Sequence, residues 1–178
     1  MIPTKEEWIA ALEQRHGKAL QEKFSAATVA ICGLGGLGSN IAIALARVGV
    51  GKLILIDFDR VDITNLHRQQ YKAEQIGKYK ADALTENLRE MTPYLDVQPI
   101  TARITEENFT GLLKDANMIC EAFDDAEAKA MLVNMAGIRG KECVSIRGGL
   151  TDMGSYNCEP WLKQDNSIIS KLTDVPVE

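Results

Sequence analysis

Short apolar runs alternate with segments of helical periodicity along most of the chain. The apolar runs are rich in aliphatic residues and predict strands at residues 29–31, 53–56, 97–103, 117–122 and 142–146. Amphipathic segments between them predict helices at residues 41–48, 76–91, 106–114 and 126–138. This alternation predicts an α/β fold: a Rossmann-like, doubly wound and mainly parallel sheet with helices on both faces.

The N-terminal residues 1–24 predict two short helices that are broken near Gly17. Thr4 followed by Glu7 is typical of a capping box at the start of the first helix. We therefore divide the chain into an N-terminal helical arm, residues 1–24, and a Rossmann-like domain, residues 25–178. The pattern of this domain weakens after residue 147.

A glycine-rich turn follows the first predicted strand and opens the next helix. Its glycines are Gly33, Gly35, Gly36 and Gly38, in the pattern G-x-G-x-x-G. The first allows a sharp turn, the middle two let a phosphate approach the backbone, and the last lets the helix pack close to the strand. Free N–H groups at the helix start attract phosphate oxygens. The turn predicts a nucleotide site, and a turn that serves tight packing alone is the alternative.

Polar residues crowd the loop after the second predicted strand. Asp57 stands at the distance from the glycines expected of an acid that holds a ribose hydroxyl. Asp59, Asp62, Asn65 and Arg68 follow it. A nicotinamide enzyme needs one acid here, whereas an ATP site uses carboxylates for ribose or magnesium and Arg and Asn for phosphates. The loop therefore favours ATP.

Composition excludes several classes of protein. Of the 178 residues, 46% are hydrophobic, which is too many for a disordered chain. The formal net charge of −5 argues against a nucleic-acid partner and gives no sign of an anionic membrane partner. No apolar run reaches the ~18 residues that span a bilayer. The charged N-terminus is unlike a secretory signal, so we expect a cytoplasmic protein.

The four cysteines are Cys32, Cys120, Cys143 and Cys158, and no C-x-x-C pair occurs. We therefore expect no zinc site. The first three lie in or beside apolar runs and predict buried free thiols. Cys158 lies in a polar stretch and is the candidate reactive thiol.

Five motifs occur together in one order. They are G-L-G-G-L-G-S-N at 33–40, D-x-D at 57–59, N-L-x-R-Q at 65–69, G-x-x-K-A at 77–81 and an Asp-Asp pair at 124–125. Over roughly residues 15–149 the chain resembles the ubiquitin-activating-enzyme-like superfamily, and within it ThiF, with MoeB as a near relative. Members bind ATP and magnesium and adenylate the C-terminal Gly of a ubiquitin-fold protein. In ThiF and MoeB that partner is a ThiS-like or MoaD-like sulfur carrier.

The resemblance implies an ATP-binding adenylation domain at residues 25–178 that serves thiamine or related sulfur-transfer biosynthesis. Its implied catalytic residues are Arg68, Lys80 and Asp124, with magnesium on Asp124. Asp57 would hold the ribose, Arg68 the phosphates, and Lys80 the charge that develops during transfer. The full implied nucleotide-binding set is Gly33, Gly35, Gly36, Gly38, Asp57, Asp59, Asn65, Arg68, Gln69, Lys80, Asp124 and Asp125.

Some implications rest on weaker matches. The resemblance implies a homodimer, and Arg15 matches an arginine that reaches the partner subunit's site. Many members carry two C-x-x-C zinc pairs that this chain lacks, and Lys129 stands where Arg is common. Cys158 is a candidate for sulfur handling. A nicotinamide-dependent oxidoreductase and a non-catalytic nucleotide-binding module remain the alternatives.

Overall fold

The computed structural model describes residues 2–145. The strands in this part are β1 (Thr28–Cys32), β2 (Lys52–Ile56), β3 (Asp96–Ile100), β4 (Met118–Glu121) and β5 (Glu142–Ser145). They form one sheet in the order β3-β2-β1-β4-β5, and every pairing is parallel. The helices are α1 (Lys5–His16), α2 (Lys18–Ala26), α3 (Gly36–Val48), α4 (Lys80–Met91), α5 (Glu106–Leu113) and α6 (Ala126–Ile138). This architecture confirms the predicted Rossmann-like α/β fold.

The sheet separates two hydrophobic cores. Val29 and Ile31 of β1 face one core, which α3 and α4 complete. Ala30 and Cys32 face the other, where α5 and α6 pack. Because both faces of the central strands are covered, these strands appear in the sequence as continuous apolar runs rather than as alternating ones.

The N-terminal helices form as predicted. The capping box is present, since the Glu7 amide donates to Thr4 Oγ1 and the Thr4 amide donates to Glu7 Oε2. Gly17, with a φ of 87°, separates α1 from α2. Helix α2 buries Phe24, whereas α1 has no buried residue. Part of the predicted arm therefore packs against the sheet domain, and the division at residue 24 stays a prediction.

Three predicted boundaries are wrong. The helix predicted over residues 41–48 begins at Gly36, because the end of the glycine turn forms its first turn. The helix predicted to begin at residue 76 begins at Lys80, because Gly77 has a φ of 87° and its amide donates to the Val61 carbonyl. The third strand ends at Ile100 rather than at residue 103 and contains Pro99. Proline is tolerated there because β3 lies at the edge of the sheet.

The cysteines of the described residues lie in strands β1, β4 and β5. Cys32 and Cys120 are buried, as predicted, and Cys143 is half-buried. Burial, together with the neighbouring Cys120, raises the pKa of the Cys32 thiol. Between residues 2 and 145 no cluster of three His, Cys, Asp or Glu side chains could hold a metal ion, and no helix is long and apolar enough to span a membrane. Cys158 and the end of the predicted fifth strand lie outside the described residues.

The close contact between α3 and β1 yields a stability prediction. A Cβ at Gly38 would lie 1.8 Å from the Gly33 carbonyl oxygen. Gly38→Ala should therefore lower the free energy of unfolding by about 3 kcal/mol, as measured by urea denaturation. Gly111 in α5 has no atom within 4 Å of its Cβ position. Gly111→Ala should stabilise the protein by about 0.5–1 kcal/mol, and equal effects of the two changes would contradict this account.

Candidate nucleotide-binding site

Three polar loops leave the same edge of the sheet. The glycine turn follows β1, Asp57 follows β2, and Asp124 follows β4. Cys32 at the end of β1 is in register with Ile56 of β2 and with Glu121 of β4. Since β1 lies between β2 and β4, the crevice above it is the topological switch point, where ligands bind in open α/β sheets.

The glycine turn is shaped by two tight contacts and one open face. Gly33 has a φ of +92°, and a Cβ there would lie 2.8 Å from the Ala122 carbonyl oxygen, so only glycine fits. Gly35 caps the N-terminus of α3 without a side-chain hydrogen bond. The nearest atom to a Cβ at Gly35 is the Gln69 Nε2, at 3.9 Å. The backbone amides at the start of α3 are thus approachable, as the sequence predicted.

Asp57 and Tyr71 hold the two peptide groups that flank the Leu34 Cα in this turn. The Leu34 amide donates to Asp57 Oδ2 at 2.7 Å, and its carbonyl accepts from the Tyr71 hydroxyl at 2.7 Å. The other carboxylate oxygen of Asp57 accepts from the Asp59 amide at 2.8 Å. The predicted ribose ligand therefore also fixes the glycine turn.

Tyr71 was not singled out from the sequence. Tyr71 is the second residue after the N-L-x-R-Q motif, in a polar loop. An aromatic residue there is a signal for a packed tyrosine, whose hydroxyl needs a hydrogen-bond partner when it is buried. Burial, and then the charge of Asp57, raise the pKa of Tyr71, so the hydroxyl stays protonated and remains a donor.

The segment that carries Arg68 and Gln69 is bonded to the first turns of α3. Asn40 Nδ2 donates to the Gly36 carbonyl at 2.7 Å and to the Arg68 carbonyl at 3.3 Å. Asn40 Oδ1 accepts from Gln70 Nε2 at 2.7 Å, and the Gln70 amide donates to Ser39 Oγ. These bonds place the Arg68 side chain against Gly36, where a Cβ would lie 3.4 Å from it.

Gln69 lies beside the glycine turn and has one buried side-chain atom with no hydrogen-bond partner within residues 2–145. Its side chain is 6% exposed, and Oε1 has no partner among the described residues. Buried polar atoms are nearly always hydrogen-bonded, so an unpartnered one marks a place for a ligand group. Because oxygen and nitrogen of an amide can exchange places by rotation, Gln69 can offer either an acceptor or a donor there.

Lys80 and Asp59 form an ion pair at the entrance to α4. Lys80 Nζ lies 2.9 Å from Asp59 Oδ2, and the Lys80 amide donates to the Asp59 carbonyl. Lys80 is only 5% exposed, while Asp59 is exposed. The structure thus brings two predicted site residues together and gives Lys80 a carboxylate partner that the sequence did not predict.

The two residues of the Asp-Asp pair after β4 differ in their contacts. Asp125 caps α6, because its Oδ1 accepts from the Ala128 amide at 2.7 Å. Asp124 is exposed, and its carboxylate makes no hydrogen bond or ion pair within residues 2–145. Magnesium at nucleotide sites takes one or two carboxylates together with phosphate oxygens. A single available carboxylate therefore fits a magnesium ion shared with a nucleotide.

The fold and the site define an α/β protein with a candidate phosphate-binding turn at its switch point. The chain belongs to the ThiF family, which it matches over residues 9–155.

Named relatives share the fold and part of the sequence. The chain is 37% identical to the adenylyltransferase and sulfurtransferase Uba4 of Aspergillus fumigatus over 126 residues, 70% of this chain and 26% of that protein. It is 32% identical to the sulfur carrier protein adenylyltransferase of Thermus thermophilus over 125 residues, 70% of this chain and 46% of the relative. The structure resembles E. coli tRNA N6-threonylcarbamoyladenosine dehydratase TcdA in complex with ATP, with a TM-score of 0.79 and 25% identity. That match covers 86% of this chain and 65% of TcdA.

The chain spans about a quarter of Uba4 and about half of the Thermus protein. Family membership and fold are therefore properties of this chain, whereas the reactions of the full-length relatives are properties of those proteins.

The tyrosine that holds the glycine turn gives a testable difference. Tyr71→Phe should lower the free energy of unfolding by about 1–2 kcal/mol, because the buried Leu34 carbonyl loses its donor. Tyr94→Phe removes a hydroxyl that donates to the Pro3 carbonyl at an exposed site, and should change it by less than about 0.5 kcal/mol. Guanidinium denaturation measures both, and a larger loss in Tyr94→Phe would count against this role of Tyr71.

Proposed function

We propose that this protein binds ATP and adenylates the C-terminal Gly of a small ubiquitin-fold sulfur carrier protein, ThiS-like or MoaD-like. The product is an acyl-adenylate that serves thiamine or related sulfur-transfer biosynthesis. The observation that carries the proposal is the buried and unpartnered Gln69 amide beside an open glycine turn. The named sulfur carrier protein adenylyltransferase among the relatives supports the choice of acceptor.

The chemistry requires two anions to meet. The carrier carboxylate attacks the α-phosphorus of ATP, a new oxygen–phosphorus bond forms, and the bond to the leaving pyrophosphate breaks. The protein must neutralise charge and hold both groups in line, since neither an acid nor a protein nucleophile is needed for this step.

The site supplies positive charge and donors from separate loops. Backbone amides at the start of α3 would take phosphate oxygens, with the helix dipole behind them. Arg68 lies over Gly36 and forms no ion pair within the described part of the chain, so its guanidinium is available to phosphates. Lys80 would add a second cation, and Asn65 a side-chain amide. Asp57, which already holds Leu34, would accept from the ribose.

Asp124 is the residue that would hold magnesium. Magnesium supplies charge neutralisation to the phosphate oxygens when bound. Its ligands in such sites are the phosphates, water and one or two carboxylates, and the exposed, unpartnered Asp124 meets that requirement.

The proposal extends to assembly and location. We propose a homodimer in which Arg15, exposed on α1, reaches the partner subunit's site. A cytoplasmic location agrees with the free thiol of Cys32, because disulfides are rare in reducing compartments.

TcdA suggests a second candidate, an ATP-dependent reaction on tRNA. The structural match to TcdA covers more of this chain than the match to the sulfur carrier protein adenylyltransferase does. The net charge of −5 weighs against a polyanionic substrate. We therefore favour the carrier protein.

Gln69 provides the sharpest test of nucleotide binding. Gln69→Leu should weaken ATP binding about tenfold, measured by calorimetry. It should not lower the stability of the free protein, because the amide it removes has no partner there. A loss of stability with unchanged ATP affinity would assign Gln69 to the fold instead.

Gln75 offers a matched control for this substitution. It is also buried, but its Nε2 donates to the Ala83 carbonyl and to Asn87 Oδ1. Gln75→Leu should therefore lower the free energy of unfolding by about 2 kcal/mol or more, with little effect on ATP affinity.

Catalysis is tested by ATP–pyrophosphate exchange with a carrier that ends in Gly-Gly. Asp124→Ala should lower the exchange rate about 100-fold, because charge on the leaving pyrophosphate is no longer neutralised. Lys78→Met, which removes a surface ion pair with Glu86, serves as the control and should leave the rate unchanged.

Three results would redirect the proposal. Unchanged exchange in Asp124→Ala would remove the role of that residue. ATP binding without exchange on any carrier would indicate a non-catalytic module, and NAD binding without ATP binding would indicate an oxidoreductase.

A further inference from the structure

Glu121 is a fully buried carboxylate that none of the proposed steps uses. It ends β4 and is 0% exposed, after three buried apolar residues, Met118, Ile119 and Cys120. A buried charge is costly unless it is paired and hydrogen-bonded. An acidic residue at the end of an apolar strand is therefore a signal in the sequence, although it was not singled out there.

The contacts of Glu121 connect three elements. Its Oε2 accepts from Lys129 Nζ of α6 at 2.9 Å and from Ser145 Oγ of β5 at 2.6 Å. Its Oε1 accepts from the Phe123 amide at 2.7 Å. One carboxylate thus joins α6, β5 and the loop that follows β4.

That loop, residues 122–125, carries Asp124. The Ala122 amide donates to the Cys32 carbonyl, and Asp125 caps α6 through the Ala128 amide. Glu121 holds the middle of the loop through Phe123, the residue directly before Asp124. Ala122 and Phe123 are the residues that contact the glycine turn at Gly33. Asp124 itself has no partner within residues 2–145, so its position is set by these neighbours.

We propose that Glu121 is a positioning residue that fixes Asp124 for a magnesium ion bound with the nucleotide. The inference rests on the proposed function. Magnesium demands near-ideal octahedral geometry, so small displacements of a ligand weaken its binding. Charge-assisted hydrogen bonds in a buried place restrain a loop more strongly than neutral ones do.

Magnesium dependence tests this role. In Glu121→Gln the magnesium concentration at half-maximal pyrophosphate exchange should rise about tenfold, the size of effect that residues behind metal ligands show. ATP affinity in EDTA should stay within about twofold, because the glycine turn is untouched. General destabilisation would also weaken ATP binding in EDTA. It would therefore not explain a variant that needs more magnesium but binds ATP normally without it.

A double variant separates direct from indirect action. If Glu121 acts through Asp124, then the double variant Glu121→Gln/Asp124→Ala should need no more magnesium than Asp124→Ala alone. The proposal would be overturned if the increases in magnesium requirement of the two single variants multiplied in the double variant. It would also be overturned if Glu121→Gln left the magnesium requirement unchanged.

Three further variants guard against a folding defect. Glu121→Asp keeps the charge and should give a smaller shift, and adding Lys129→Arg should reduce that shift, because the longer base reaches the shorter acid. Glu86→Gln is the matched control, since Glu86 also pairs with a lysine at 2.9 Å but at an exposed site. A Glu86→Gln shift as large as that of Glu121→Gln would contradict the assigned role.

Hydrogen exchange in the absence of nucleotide isolates the positioning step. Glu121→Gln should speed exchange of the Phe123 amide about tenfold or more by NMR, and Glu86→Gln should not. Unchanged Phe123 exchange would overturn the positioning role. A wild-type protein whose ATP binding does not depend on magnesium would instead overturn the proposed function, and with it the metal role of Asp124, whatever the exchange shows.

Discussion

The hydrogen bonds of Asp57 connect the ends of the two central strands, and the arrangement of the candidate site depends on them. One oxygen accepts from Leu34 in the glycine turn, and the other accepts from Asp59, the partner of Lys80. A single carboxylate at the end of β2 therefore sets both the turn after β1 and the start of the loop that leads to α4. Its charge faces backbone donors, which is the arrangement that best stabilises a nearly buried acid.

The polar residues of the site fall into two groups by their partners. Asp57, Asp125 and the Lys80–Asp59 pair are hydrogen-bonded within the protein and hold its loops in place. The second group includes Gln69, whose Oε1 has no partner, and Asp124, whose carboxylate makes no such bond in the described part of the chain. A folded protein rarely leaves a buried polar atom such as Gln69 Oε1 unmatched, and the exposed Asp124 carboxylate is open to solvent, so both can accept a bond from outside the chain.

Much of the fold could be predicted because it depends on hydrophobic periodicity. Strands covered on both faces left continuous apolar runs, and the G-x-G-x-x-G pattern marked the turn between β1 and α3. The start of α4 could not be predicted, because the bond from Gly77 to Val61 joins residues of a loop with no periodic signal.

The side-chain bonds within the site were also beyond prediction from the sequence. Tyr71 and Leu34 are 37 residues apart, and Ser145 and Glu121 are 24 apart. Such contacts arise only when the sheet brings distant loops together, so local patterns carry little information about them. The sequence identified the polar residues at the carboxyl edge of the sheet. It did not show which of them already have hydrogen-bond partners within the protein.

The bonds between residues 68–71 and the first turns of α3 have an energetic consequence for any ligand. Asn40, Gln70 and Tyr71 assemble this wall of the crevice in the free protein. Because this segment is already hydrogen-bonded to the glycine turn and to α3, it loses little conformational entropy when a molecule binds, and more of the contact energy appears as affinity.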